Sequence, residues 1–284
     1  MKLCRFDDNR LGVVDGKRVI DVTSVLDELP AQRWPIAPGD QLIANLASVR
    51  EAIARVVATS PVVELASVGL LSPVANPNKV IGAPVNYYAH QQEAIEQSSD
   101  FGVEDIKTIE EYGLFLKTSV LVGPSEGVAL LFPERRNDHE VEVAMVIGRQ
   151  GKDISKADAL DYVAGYSIGL DMTVRGTEDR SLRKAIDSYA VLGPWMVTAD
   201  EIDNPDDLEF SIHVGDELRQ KSSTKKLIFT CADLIAYASI FYTLYPGDVI
   251  MTGTPEGVGP VTDGDIMHCW AAKIGEMHVP VRNT

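Results

Sequence analysis

The chain opens with short apolar runs separated by turn residues. Lys2–Phe6 and Leu11–Val14 flank the polar DDNR, and Asp15-Gly16 lies between two apolar runs in VVDGKRVIDV, which predicts a β-hairpin. From about Asp40 to Ala58, Leu42, Leu46, Val49, Ile53 and Val56 recur at helical spacing and predict one amphipathic helix with its stripe in the core. SPVANPNK, residues 72–79, is rich in turn formers and reads as a linker. A small β-rich N-terminal domain over 1–70 and a larger domain over 71–284 are therefore expected.

KVIGAPV predicts a short strand running into NYYAHQQEA. Residues 91–113 are polar and acidic with few apolar anchors, and read as a lid or as a solvated loop. A helix is predicted from Ile154, where Ser155–Asp158 has the form of a capping box, and Gly165 is placed to end it. YSIGLDMTV then predicts a strand, followed by strands at 191–198 and 208–214, a helix over 231–243 and a β-rich tail through DVIMTGTP, DIMHCWAA and HVPVR. Mixed α and β without regular alternation predict an α+β, β-rich fold and not a doubly wound sheet.

GYSIG, residues 165–169, has the G-x-S-x-G form of a serine nucleophile elbow. An elbow needs a strand, a tight turn and then a helix. Here the predicted helix comes first, so Ser167 reads as a small strand residue. Ser167, Gly169, Asp171 and Thr173 share one face of that strand. GTPEGVG lacks the G-K-[ST] ending of a phosphate loop.

Two glutamates stand out in HEVEVAMVIG. Val141 to Ile147 is almost wholly apolar, as in a buried strand, yet Glu140 and Glu142 lie on one face of it. Adjacent buried anions cost several kcal/mol unless compensated, by rough estimate. Either the strand end is solvated or a hard cation sits there with Asp171 as a third carboxylate; oxygen ligands without cysteine favour Mg²⁺ or Mn²⁺ over zinc. His90 and Glu93 are i, i+3 neighbours if helical, either a surface pair or a general base acting on water. Lys184 is either solvated or aimed at a substrate carboxylate or enolate oxygen.

Hydrophobic residues make up 45% of the 284, enough for a large core, and the formal net charge is −16. Such a charge repels nucleic acid, and an acidic substrate would need a local cation. No apolar run approaches the roughly 18 residues of a membrane span. The opening MKLCRFDDNR has no secretory h-region, and three scattered cysteines without C-x-x-C suit a reducing cytoplasm.

In order, VIGAPVNYYAHQQE, FLK, HEVEVAMVIG, DYVAGYSIGLDMTVR, RKAIDSYAVLGPW, LRQ and YPGDVIMTGTPEGVG closely resemble the fumarylacetoacetate hydrolase family, over roughly residues 72–284. Each motif alone is weak; their shared order points to the family, though not to a substrate. The resemblance implies a mixed β-sandwich roll behind a small, variable N-terminal domain, a homodimer, and a site for Mg²⁺, Mn²⁺ or sometimes Ca²⁺. By it, Glu140, Glu142 and Asp171 match the metal carboxylates, His90 and Glu93 the water-activating pair on a segment that orders over substrate, and Lys184 the substrate-facing lysine. Gln220 and Thr254 match positions that often hold substrate oxygens. Ile186, Tyr189 and Val191 depart from the phenylalanines and proline common in the family, which would alter the pocket wall. The implied reaction is hydrolytic carbon–carbon cleavage of an acylpyruvate, such as fumarylpyruvate or maleylpyruvate from aromatic catabolism, to pyruvate and a carboxylic acid. Arg175 and Lys117 are cations available to an acidic acyl group. Decarboxylation or isomerisation of a related keto acid would use the same enolate. A non-catalytic metal-stabilised binder is a further alternative, and it would not need His90, Glu93 and Lys184.

Overall fold

The structure is a computed structural model that describes residues 1–97 and 107–284. The N-terminal meander is β1 (Lys2–Phe6), β2 (Arg10–Asp15) and β3 (Arg18–Asp21), followed by α1 (Gln41–Ala44), α2 (Leu46–Val56), β4 (Val62–Glu64) and β5 (Leu70–Leu71). Next come β6 (Val80–Gly82), α3 (Tyr88–Gln97), α4 (Ile109–Tyr112), β7 (Phe115–Leu116), β8 (Val128–Leu130), β9 (Asn137–His139) and β10 (Val141–Ile147). The remainder is β11 (Val163–Asp171), β12 (Thr173–Val174), α5 (Arg180–Arg183), β13 (Ala190–Thr198), β14 (Glu209–Val214), β15 (Glu217–Ser223), α6 (Cys231–Phe241), β16 (Val249–Met251), β17 (Gly259–Pro260), β18 (Ile266–Ala271) and β19 (Gly275–Asn283).

Among the described residues these strands form an eleven-stranded sheet in the order β4-β3-β2-β1-β13-β11-β10-β16-β6-β7, with β5 on β1. A five-stranded sheet, β15-β14-β18-β19-β8, and a small β12-β9-β17 sheet complete the β framework. The expected β-rich α+β architecture is what the chain adopts. Its centre is β10, β11 and β13, buried along their whole length, as near-continuous apolar strands must be. No helix among the described residues is long and apolar enough to cross a membrane.

Two local expectations change. The helix predicted from Ile154 is only a 3₁₀ turn at Ala159–Tyr162, and Gly165 lies inside β11. Burial between β10 and β13 outweighs the local helical pattern. A Cβ at Gly165 would press on the Val197 carbonyl oxygen and lie 2.7 Å from Met196 Cγ, so glycine there permits close strand approach. The single helix expected over 40–58 is broken at Asn45; Asp40 caps the first piece by accepting hydrogen bonds from the Leu42 and Ile43 amides. β1 of the N-terminal segment pairs with β13 and so extends the central sheet.

The parallel β6–β16 pair carries the chain from the sheet to the site. Fully buried Asp248 anchors it, accepting hydrogen bonds from the Lys79 and Tyr245 amides at 2.8 Å each and pairing with Lys79 Nζ at 2.7 Å. Asp248→Ala should cost about 2–3 kcal/mol in urea unfolding, because it strands those donors in the interior. A loss below about 1 kcal/mol would show that water replaces the carboxylate at little cost.

Candidate metal centre and active site

Strand register assembles the acidic cluster. In the antiparallel β10–β11 pair Val141 faces Leu170 and Glu142 faces Gly169, and the Asp171 amide donates to the Glu140 carbonyl at 2.9 Å. Glu140 and Glu142 therefore share the face that carries Asp171. All three side chains are buried, with ligand oxygens within 4.8 Å of one another.

Burying three carboxylates is tolerable only with counter-charge. Lys184, at the end of α5, places Nζ 2.7 Å from Glu140 Oε2, 2.7 Å from Asp171 Oδ2 and 2.6 Å from Thr173 Oγ1. Lys117 Nζ donates to Asp171 Oδ1 and, at 2.5 Å, to the Lys184 carbonyl. Arg175 pairs with Asp138 at 2.6 Å and approaches Glu140 at 3.4 Å. Burial alone would raise Glu140, but Lys184, Arg175 and His90 hold its carboxyl at about 2. Glu142 behaves oppositely: burial, then Asp171 and Glu140, push it well above the usual carboxylate range. It accepts a 2.6 Å hydrogen bond from the Gly253 amide, and among the described residues no cationic side chain pairs with it.

Three carboxylates against two ammonium groups leave Glu142 without counter-charge among the described residues. A hard divalent cation fits that donor set, since the oxygens converge and the least compensated one needs a positive neighbour.

His90 and Glu93 lie one turn apart on α3, with Nδ1 to Oε2 at 3.1 Å. Glu93 Oε1 also accepts from the Gly257 amide at 2.9 Å. Burial raises Glu93, but the hydrogen bonds from His90 and Gly257 outweigh it and hold the carboxyl below its usual range. Fully buried Asn86 fixes the approach to α3: Nδ2 donates to the Phe229 and Thr252 carbonyls, and Oδ1 accepts from the Phe229 amide. The adjacent Val85 has φ +50°, a costly conformation for a β-branched residue, at the cavity wall.

A cavity of about 760 Å³ joins these groups; His90, Glu93, the three carboxylates, Arg175, Lys184 and Thr254 all line it. Gln220 does not. Its Oε1 accepts from the Val141 amide and lies 3.2 Å from His139 Nδ1, and its Nε2 donates to Thr254 Oγ1 and the Pro255 carbonyl. Both ends of the amide are thus committed to the scaffold, against the expectation that Gln220 holds a substrate oxygen. Ile186, Tyr189 and Val191 pack in or against the hydrophobic core and are not among the residues that line the cavity. Ser167 is fully buried and donates to the Gly193 and Trp195 carbonyls, and among the described residues no base is hydrogen-bonded to it. Of the expected lid over 91–113, residues 98–106 lie outside the described residues. Sequence reasoning left Lys117 unplaced and did not find Thr173 or Asp138. The only sign of Lys117 was a lone lysine at the end of the apolar FLK run.

A converging acidic triad with lysine counter-ions and a His–Glu pair on the same cavity wall suits a metal-dependent enzyme rather than a serine hydrolase. Residues 79–282 match the fumarylacetoacetate (FAA) hydrolase C-terminal family, and the chain belongs to the fumarylacetoacetate hydrolase family. It is 51% identical over 286 residues to maleylpyruvate hydrolase of Aquipseudomonas alcaligenes, covering 100% of both chains. A mitochondrial oxaloacetate tautomerase of Rattus norvegicus is 37% identical over 273 residues, which cover 92% of this chain and 82% of that one. The crystal structure of maleylpyruvate hydrolase from Sphingobium sp. SYK-6 with manganese(II) and pyruvate matches with TM-score 0.84 and 40% identity, over 100% of this chain and 99% of that one.

Glu142→Ala should abolish Mn²⁺ binding measured by calorimetry while leaving the circular dichroism spectrum unchanged; wild-type affinity would remove Glu142 from the ligand set. Ser167→Ala should keep turnover and lose about 1–2 kcal/mol of stability from its two carbonyl contacts. Labelling of the wild type by a serine-reactive phosphonate would contradict this.

Proposed function

We propose that the chain hydrolyses the carbon–carbon bond of an acylpyruvate of the maleylpyruvate or fumarylpyruvate kind, in the catabolism of aromatic compounds. The observation that carries this reading is one cavity lined by both the acidic triad and the His90–Glu93 pair. Likeness to two maleylpyruvate hydrolases supports it. Glu140, Glu142 and Asp171 would hold Mg²⁺ or Mn²⁺, with Ca²⁺ as a further candidate. When bound, the cation supplies Lewis-acid stabilisation of the keto-acid oxygens and of enolate charge.

The protein's own groups do the rest. With Nδ1–H held by Glu93, the His90 Nε2 lone pair takes a proton from water. Glu93, anchored by Gly257, orients the ring and stabilises the imidazolium. The water oxygen bonds to the distal carbonyl carbon, and the bond from that carbon to the methylene breaks. The electron pair passes to the methylene carbon as pyruvate enolate, which takes up a proton, and the water oxygen stays in the acid product. Lys184 faces the enolate oxygen and lowers the cost of its charge. Arg175 and Thr254 hold substrate oxygens from the cavity wall, and Gln220 positions Thr254 and Val141 from behind. A cytoplasmic homodimer belongs to the same proposal; its three free, buried cysteines suit a reducing compartment.

Pyruvate release from maleylpyruvate, fumarylpyruvate, acetylpyruvate and oxaloacetate, with Mn²⁺ and after EDTA, tests the reading. Metal-dependent release from an acylpyruvate is expected; release from oxaloacetate alone would make the chain a decarboxylase. His90→Ala should lower kcat by about a thousandfold while Mn²⁺ still binds. Full activity in that variant would exclude His90 as the base.

A further inference from the structure

Three guanidinium groups line the cavity: Arg175, Arg180 and Arg183. Arg175 is matched by Asp138 and Glu140. The two on α5 are not: among the described residues, neither Arg180 nor Arg183 pairs with a carboxylate. The acids of their own segment are engaged elsewhere. Glu178 pairs with both terminal nitrogens of Arg135, at 3.0 and 2.8 Å. Asp179 caps α5 by accepting from the Ser181 amide and hydroxyl.

Both arginines are nonetheless held in place. Arg180 lies over the Tyr112 ring, 4.5 Å from its centroid, and 5.4 Å from that of Phe115. Arg183 donates from Nε to the Glu178 carbonyl at 2.7 Å, which orients the rest of its fork. Burial, then Arg175 and Arg180, push Arg183 below the usual arginine range, so these charges lie close enough to repel. Two guanidiniums on one cavity wall, without a carboxylate partner among the described residues, give a chain of net charge −16 a local positive patch. Their planar forks fit a carboxylate.

We infer that Arg183 and Arg180 bind a carboxylate at the distal end of the acyl group. The preferred substrates are then acylpyruvates whose acyl chain ends in a carboxylate, and the second product is a dicarboxylic acid. This rests on the acylpyruvate reading and adds two specificity-determining residues to it. Arg183 directly precedes Lys184, so the end of α5 serves both poles of the ligand: Lys184 the reacting end and Arg183 the distal charge.

The test compares kcat/KM for maleylpyruvate, with an acidic acyl group, and acetylpyruvate, with a neutral one, in the Mn²⁺-loaded wild type, Arg183→Gln and Arg180→Gln. The wild type should favour maleylpyruvate. That preference should fall at least about tenfold in Arg183→Gln and by less in Arg180→Gln, mainly through KM. An equal loss on both substrates, or a wild-type preference for acetylpyruvate, overturns the assignment while the hydrolase reading stands. If the wild type cleaves no acylpyruvate, the hydrolase reading fails, and calorimetry with maleate and acetate decides the anion site alone. Maleate binding that is tighter than acetate binding and weakened in Arg183→Gln supports the site; equal binding in both proteins overturns it.

Discussion

The structure depends on charge balance around three carboxylates at the end of a buried strand pair. The β10–β11 register forces Glu140, Glu142 and Asp171 together, and the apolar sheet around them offers little solvent. Lys184 and Lys117 neutralise most of that charge from two separate segments, while Glu142 has no cationic partner among the described residues. The imbalance suits the cluster to a cation, as proposed: a divalent ion would turn the local charge from negative to positive, and the carboxylate of a keto acid would then neutralise it. The same sequence of charges resolves how a strongly acidic protein accepts an acidic ligand.

The framework divides the work. Sheet strands supply the acidic floor, where position must be held within tenths of an ångström, and the hydrogen bonds of Gln220 and Thr254 brace that floor from behind. Short helices at the rim supply the groups that would meet water and substrate: His90 and Glu93 on α3, and Arg180 and Arg183 on α5. Asn86 and the strained Val85 join floor to rim, so the geometry of the base pair is inherited from the β6–β16 pairing.

Much of the acidic site was legible because it broke local rules. Charges on one face of an apolar strand, or a histidine one helical turn from a glutamate, need no knowledge of distant contacts. What failed to read was long-range. Lys117 and Asp171 are 54 residues apart, and nothing near FLK says which acid the lysine meets. Gln220 reads by resemblance as a position that holds substrate oxygens, and its four scaffold partners are visible only in space. The segment after Ile154 has helical spacing, yet β10 and β13 claim Val163–Asp171 as a central strand. In the same way, nothing in the N-terminal hairpin signal says that β1 pairs with β13. Arg180 and Arg183 drew no reading from the sequence, because their place on the cavity wall and the want of a carboxylate partner among the described residues are visible only in space.

The most direct measurement is turnover of maleylpyruvate in oxygen-18-labelled water with Mn²⁺, followed by mass spectrometry of both products. Hydrolysis at this site predicts labelled oxygen in the carboxylate of the acid product, and no product after EDTA. Pyruvate formation without label in the acid, or turnover that persists without metal, would contradict a water activated by His90 beside a metal-bound keto acid.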